Sequence, residues 1–365
     1  MKEQWRGLID NLGYGLNCEV HVINTVVKSN WKVDLLVLDE CHRYASSTFA
    51  EVFNKVHYKL ILGLTATLER LDGKEEIIKK YCPVCDTITL EVALLNHWVS
   101  EYKEYQVIIK VDDIQDYLNL QKEFTEHFEY FNFDFGLILD SKNGMIGKNG
   151  LKNRIAYRDK LCPFNGHNEQ ERKDLLRDIT YHATAFNRVM QARKSFINNH
   201  PKKLEMVRKI IAARPLSKIV TFSNSVKMAE AIGIGKVYSG RDSKKKGRIT
   251  MDEYIKGDFQ VLNTIKKVDE GLDVPNISVA IQLGIDSSSI KAAQRLGRAI
   301  RFTPGKQAEM FTIVIDQSQE IKWFSESHKH QSNYITIDEE GLEDVLAGKE
   351  PKPYVKPLKQ WKFRF

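Results

Sequence analysis

The chain has 365 residues, 42% hydrophobic and 28% charged, with a formal net charge of +7. That composition is ordinary for a globular protein of two or three domains, and no apolar run is long enough to span a bilayer, so a membrane-spanning role is not expected. The five cysteines are an odd number and mostly scattered, which fits a reducing compartment; the mild basic excess permits a nucleic-acid partner without requiring one.

In chain order, residues 1–112 alternate apolar runs with helical patterns. "EVHVINTV", "VDLLVLDE", "YKLILGLTAT" and "YKEYQVIIKV" read as strands; the first three are apolar on both faces, as expected in a parallel sheet covered by helices. Residues 113–200 are polar, aromatic and helical in pattern, as in "ERKDLLRDITYHATAFNRVMQARKSFI". Residues 201–320 return to α/β character, with "SKIVTFS", "GKVYSG", "FQVLNTI", "SVAIQLG" and "EMFTIVID" reading as strands between helices. Residues 321–365 end in a basic, aromatic tail, "KEPKPYVKPLKQWKFRF". No internal repeat and no low-complexity segment is present.

The chemistry begins where the run "DLLVLDECHR" ends in Asp39, Glu40 and His42. Ligands of α/β sheets bind at the carboxyl ends of the strands, where one carboxylate suits Mg²⁺ with substrate phosphates and its neighbour can orient or deprotonate a water. Alone, the pair reads more readily as a helix start, since acids suit a helix N-terminus. A second strand ends in "GLTAT", with Thr65 and Thr67 at the mouth of the same sheet. Further on, "QRLGRAIR" carries Gln294, Arg298 and Arg301. On a helix Arg298 and Arg301 share a face, and two guanidiniums on one face can meet a polyphosphate.

"VLDECHR" followed by "LGLTAT" resembles motifs II and III of superfamily 2 helicases and translocases. "KIVTFSNSVKMAEAI", "VLNTIKKVDEGLDVPNISVAI" and "QRLGRAIR" resemble motifs IV, V and VI, in the family's order. The resemblance implies two RecA-like lobes with parallel sheets (the first N-terminally incomplete) and a helical insert between them. It implies ATP and Mg²⁺ as cofactors and DNA, single-stranded or branched, as partner, as in phage branched-DNA helicases of recombination, repair or replication, acting in the cytoplasm of a bacterial or phage-infected cell. In that frame Asp39 holds Mg²⁺, Glu40 positions the water, and His42, Thr65 and Thr67 couple nucleotide state to the lobes. Gln294, Glu270, Gly271 and Asp273 lie at the nucleotide, Arg298 and Arg301 act on the γ-phosphate, and Thr25, Ser223, Gly240 and Thr264 contact the strand. A restriction-system motor subunit and a catalytically silent nucleic-acid-binding protein are the alternatives.

One part is missing. A nucleoside triphosphate in this family is held by a loop of the form G-x-x-x-x-G-K-S/T. The nearest match, "GMIGKNG" at 144–150, has its glycines too close together and lies after motif II. "EQWRGLIDNLG" resembles the end of motif Ia, so Met1 is expected to fall just downstream of the phosphate loop: the chain is either the remainder of a longer protein or a natural short form that has lost independent ATP hydrolysis, and a partner chain could supply the loop. Three smaller features stay open. "CPVC" at 82–85 has metal-ligand spacing but lacks a second pair, and Cys41 is a nucleophile only in principle. The insert's Arg172, Lys173, Arg177, Arg188, Arg193 and Lys194 fit either a grip on nucleic acid or a solvated spacer.

Overall fold

The computed structural model describes residues 2–13, 17–65, 68, 73–135, 138, 148–163, 168–239, 242–265, 277–285, 307–329 and 333–354. The chain opens with helix α1 (Lys2–Asn11) and a single turn, α2 (Ile23–Val26). Two nine-residue strands follow, β1 (Trp31–Asp39) and β2 (Val56–Leu64), separated by a 3₁₀ turn (Cys41–Ala45) and the short helices α3 (Ser47–Ala50) and α4 (Val52–Lys55). The strands pair in parallel, from Trp31 opposite Val56 to Asp39 opposite Leu64. Parallel pairing puts both carboxyl ends at one end of the sheet, so Asp39 and Thr65 emerge side by side. "EVHVINTV" is not a strand: its second half forms α2.

One face of this two-stranded sheet is covered. Leu38, Cys41, Ala45, Val52, Phe53, Val56 and Ile78 form its core, with Phe53 stacked on Tyr81 at 4.2 Å. Leu35, Val37, Leu60, Leu62 and Leu64 are exposed, Leu60 by 68%. Leu35 lies opposite Leu60 and Val37 opposite Leu62, so these side chains share one apolar face. The sequence is apolar on both faces, as expected; among the described residues only one face is covered.

After α5 (Glu75–Tyr81) and α6 (Leu90–Leu95) comes β3 (Glu101–Ile109), then the helices α7 (Ile114–Glu129), α8 (Lys148–Leu161), α9 (Glu169–Asn199) and α10 (Pro201–Ala213). The remaining elements are β4 (Ile219–Ser223), α11 (Val226–Ala231), β5 (Lys236–Tyr238), α12 (Lys244–Lys256), β6 (Val261–Ile265), β7 (Val279–Gln282), β8 (Gln307–Ile315), α13 (Gln319–Ser327), β9 (Tyr334–Ile337) and α14 (Glu339–Leu346). The seven strands β3–β9 form one parallel sheet in the order β5-β6-β4-β7-β8-β3-β9. Helices cover both its faces. Met206, Val207, Ile210 and Ile211 of α10 pack with Ile281, Phe311 and Ile313, and Tyr254 of α12 packs with Phe222, Leu262 and Met310.

Two groupings drawn from sequence order do not hold. β3 belongs to this second sheet, paired with β8 and β9, although it sits among the first 112 residues. The tail from 321 folds back in the same way: α13, β9 and α14 complete the sheet's edge, and Tyr354 N donates to Thr336 O. Hydrophobic periodicity identifies a strand but carries no information about which strand it pairs with.

The insert is helical as expected. α9 begins with a capping box, Asn168 and Glu171 each bonding the other's backbone, and packs on α7 through Phe124, Phe128, Ile179 and Phe186. Its basic residues are mostly paired internally. Arg172 is buried on Cys162 O and Asp159, Arg193 stacks on Phe124 at 4.0 Å, and Arg188, Lys173 and Arg177 meet Glu123, Glu169 and Asp174. This favours the spacer over the grip.

Two buried ion pairs fasten the second sheet. Lys203 Nζ lies 2.6 Å from Glu320 and 2.8 Å from Leu283 O, with both side chains fully buried. Burial lowers the Lys203 pKa and raises that of Glu320, while the contact opposes both shifts. Removing one partner strands a buried charge. Glu320→Ala is therefore expected to lower unfolding stability by about 3–5 kcal/mol in urea titration, whereas joint replacement by Met and Leu costs far less.

The second pair joins His328 Nε2 to Glu104 at 2.9 Å. Burial works against the imidazolium, but the bonds to Glu104 and to Phe324 O outweigh it and raise the His328 pKa. The folded state thus holds this proton more tightly than the unfolded chain does. The stabilisation is complete below the ordinary value of 6.5 and is lost as pH rises through the higher folded value. His328→Gln should remove this pH dependence of stability, measured as urea midpoints across that window.

Candidate functional site

The acid pair stands at the end of β1 because the chain must leave the sheet there. Glu40 adopts the left-handed conformation, φ 52° and ψ 50°, which costs an ordinary residue on the order of 1 kcal/mol. It turns the backbone sharply into the 3₁₀ segment, where Arg43 N donates to Glu40 O at 3.0 Å. Strain of this kind concentrates at functional sites. Asp39 is half-buried, and its Oδ2 accepts a hydrogen bond from the Trp5 indole at 2.9 Å.

His42 is buried at the foot of the turn. Its Nδ1 lies 2.9 Å from Thr65 Oγ1 and 3.4 Å from Glu40 Oε2. The structure therefore brings together four residues that sequence reading singled out on separate motifs: Asp39, Glu40, His42 and Thr65. Beside them, the Cys41 thiol is pushed up to about 11 by burial, with further contributions from Cys82, Glu40 and Asp39. A thiol held protonated is a slow nucleophile near neutral pH, which argues against Cys41 turning over a substrate.

Other expectations separate. Ser223 closes β4 and Thr264 lies in β6, on the adjacent strand. Both are buried and turned inward: Ser223 Oγ donates to Ser225 O, and Thr264 Oγ1 donates to Thr221 O. Their hydroxyl protons have internal partners. Thr25 is exposed on α2. Thr67, Gly240, Glu270, Gly271, Asp273, Gln294, Arg298 and Arg301 lie outside the described residues. Among the described residues no group of three or more His, Cys, Asp or Glu, "CPVC" included, is arranged to hold a metal. Magnesium asks for less, since one carboxylate suffices when phosphates and water complete its shell. Half-buried Asp39 at a strand's carboxyl end has the hard oxygen donors that this requires.

Two contributors escaped sequence reading. Trp5 reaches Asp39 across 34 residues, and Lys203 pins Leu283 O at the end of β7. Neither has a local signature; a lone Trp or Lys reads as an ordinary helix residue. If the indole bond holds α1 in place, Trp5→Phe should raise amide hydrogen exchange throughout Lys2–Asn11 and leave β1 protected. Unchanged exchange in α1 would show that other contacts dock it.

Comparison with known proteins agrees with these motifs. The family "Helicase conserved C-terminal domain" matches residues 202–303, and "Type III restriction enzyme, res subunit" matches 22–70. The chain is 25% identical over 288 residues to the DNA 3'-5' translocase XPB2 of Sulfurisphaera tokodaii, covering 78% of this chain and 59% of that protein. It is 45% identical over 53 residues to the TFIIH basal transcription factor complex helicase/translocase XPB subunit of Trypanosoma brucei brucei, 14% of this chain and 5% of that one. It thus spans little more than half of the archaeal relative. The structure of S. cerevisiae Dbp5 bound to RNA and ADP BeF3 shares the fold, with a TM-score of 0.50 at 12% identity over 90% of this chain and 67% of that one. Motifs II to VI in order, two family matches on the two α/β segments, and Asp39, Glu40, His42 and Thr65 gathered at one strand end make the chain similar to the superfamily 2 helicases and translocases.

Proposed function

We propose that this chain is the motor part of an ATP-dependent DNA helicase or translocase acting in recombination, repair or replication. The observation that carries the reading is the His42–Thr65 bond at the carboxyl end of β1 and β2, which joins the acid pair to the second motif. Asp39 would hold Mg²⁺, whose charge offsets that of the phosphates. Glu40 accepts a proton from, or orients, the attacking water; its carboxylate lies 3.4 Å from His42 Nδ1. His42 senses Glu40 at 3.4 Å and passes any shift to Thr65, with Thr67 as the next hydroxyl along. Gln294, Arg298 and Arg301, with Gly271 and Asp273, complete the nucleotide site from the second α/β segment. Thr25 and Gly240 contact the strand. We divide the chain into a first lobe, a helical insert and a second lobe, moving β3 and the α13–α14 segment to the second.

The 365 residues carry no G-x-x-x-x-G-K-S/T, and a triphosphate draws most of its binding from that loop's amides and lysine. The loop would be supplied from outside these residues, with its apolar side against exposed Leu35, Val37, Leu60, Leu62 and Leu64. The match of residues 22–70 to a restriction enzyme's res subunit favours one second reading, a restriction-system motor.

The test is steady-state ATP hydrolysis by the purified chain, with and without DNA, beside Asp39→Ala. The expected outcome is negligible turnover alone, together with DNA binding that weakens steeply with salt. DNA-stimulated turnover that Asp39→Ala abolishes would overturn the need for an added phosphate loop and leave the motor reading intact. Absence of DNA binding would overturn the motor reading itself.

A further inference from the structure

Cys41 and Cys82 converge on one point of β2. A Cβ built on Gly63 would lie 2.9 Å from Cys82 Sγ and 3.1 Å from Cys41 Sγ. Both sulfurs therefore crowd into the space that a side chain would fill, and 2.9 Å plus 3.1 Å puts them at most 6.0 Å apart. Cys41 is buried and Cys82 half-buried, in the same apolar cluster behind the strand, while Cys85 is exposed three residues on. All are free thiols. Two free thiols this close can be oxidised together.

We infer that Cys41 and Cys82 form a reversible disulfide under a hydroperoxide, a modification site placed directly behind the acid pair. The more accessible sulfur, Cys82, attacks the peroxide; an S–O bond forms, the O–O bond breaks, and water or alcohol leaves. The Cys41 sulfur then attacks the resulting sulfenic acid. An S–S bond forms, the S–O bond breaks, and the hydroxyl departs as water with the Cys41 proton. Two thiols give up two electrons, which reduce the peroxide, and a dithiol reverses the change. Cys41 directly follows Glu40, and Cys82 directly follows α5. The bond therefore clamps the Glu40–His42 turn to the element that follows the Thr65 loop. A clamp on the motor cycle rests on the reading above; the disulfide itself does not.

The test treats the folded chain with hydrogen peroxide, alkylates the remaining thiols, and maps linked peptides by mass spectrometry. Circular dichroism checks that the fold persists. The expected result is loss of two of the five thiols, a Cys41–Cys82 linked peptide, a monomer on a non-reducing gel, and recovery with dithiothreitol. Cys85→Ser should retain the link; Cys41→Ser and Cys82→Ser should each abolish it. Should either serine variant fail to fold, the map of the wild type and of Cys85→Ser decides. Cys41 remaining fully alkylatable while Cys82 pairs with Cys85, stops at the sulfenic acid or bridges two chains would overturn the inference. With the link formed, a failed ATPase test bears only on the motor reading.

Discussion

The site depends on the parallel, in-register pairing of β1 with β2. Because both strands run the same way, with Asp39 opposite Leu64, the residues just beyond each strand emerge at one end of the sheet. An antiparallel pair would send "DECH" and "LTAT" to opposite ends. The hydrogen bond from His42 to Thr65 follows from that register. So does the convergence of Cys41 and Cys82, since both thiols pack against Gly63, the residue opposite Leu38.

Around that register the local chemistry is tense. Two carboxylates adjoin a buried imidazole and a buried thiol, and Glu40 is held in an unfavourable backbone conformation. The hydrophobic cluster of Leu38, Ala45, Val52, Phe53 and Ile78 anchors one side of the strands and holds the turn in place. The other side offers leucines to solvent, at about 25 cal/mol for each square ångström left uncovered. A sheet that is apolar on both faces and covered on one has a standing free-energy incentive to acquire a cover.

The second sheet is built for rigidity. It is covered on both faces, and ion pairs inside it tie strands to helices distant in sequence. Lys203 reaches from α10 to the carbonyl of Leu283, at the end of β7, immediately before the stretch that carries Gln294, Arg298 and Arg301. Glu320 meets that lysine, and its other oxygen accepts from Ile315 N at 3.1 Å. The departure point of the arginine-bearing segment is therefore held by a fully buried charge pair.

Much of this was legible in the amino-acid sequence. Runs such as "VDLLVLDE" and "SKIVTFS" determine strands, because alternation and β-branching act within a few residues. Asp39, Glu40, His42 and Thr65 stand out because their types at a strand's end suit one chemistry. The α/β class and the order of the motifs follow from such local signals. Tertiary structure alone decided the partners. β3 joins the second sheet across some two hundred residues, and the tail residues 334–337 take the edge beside it. Trp5 finds Asp39, and Ser223 and Thr264 turn their hydroxyls inward. The physical reason is the same in each case: pairing and burial are set by which surfaces remain to be covered once the whole chain has collapsed, and no short stretch encodes that.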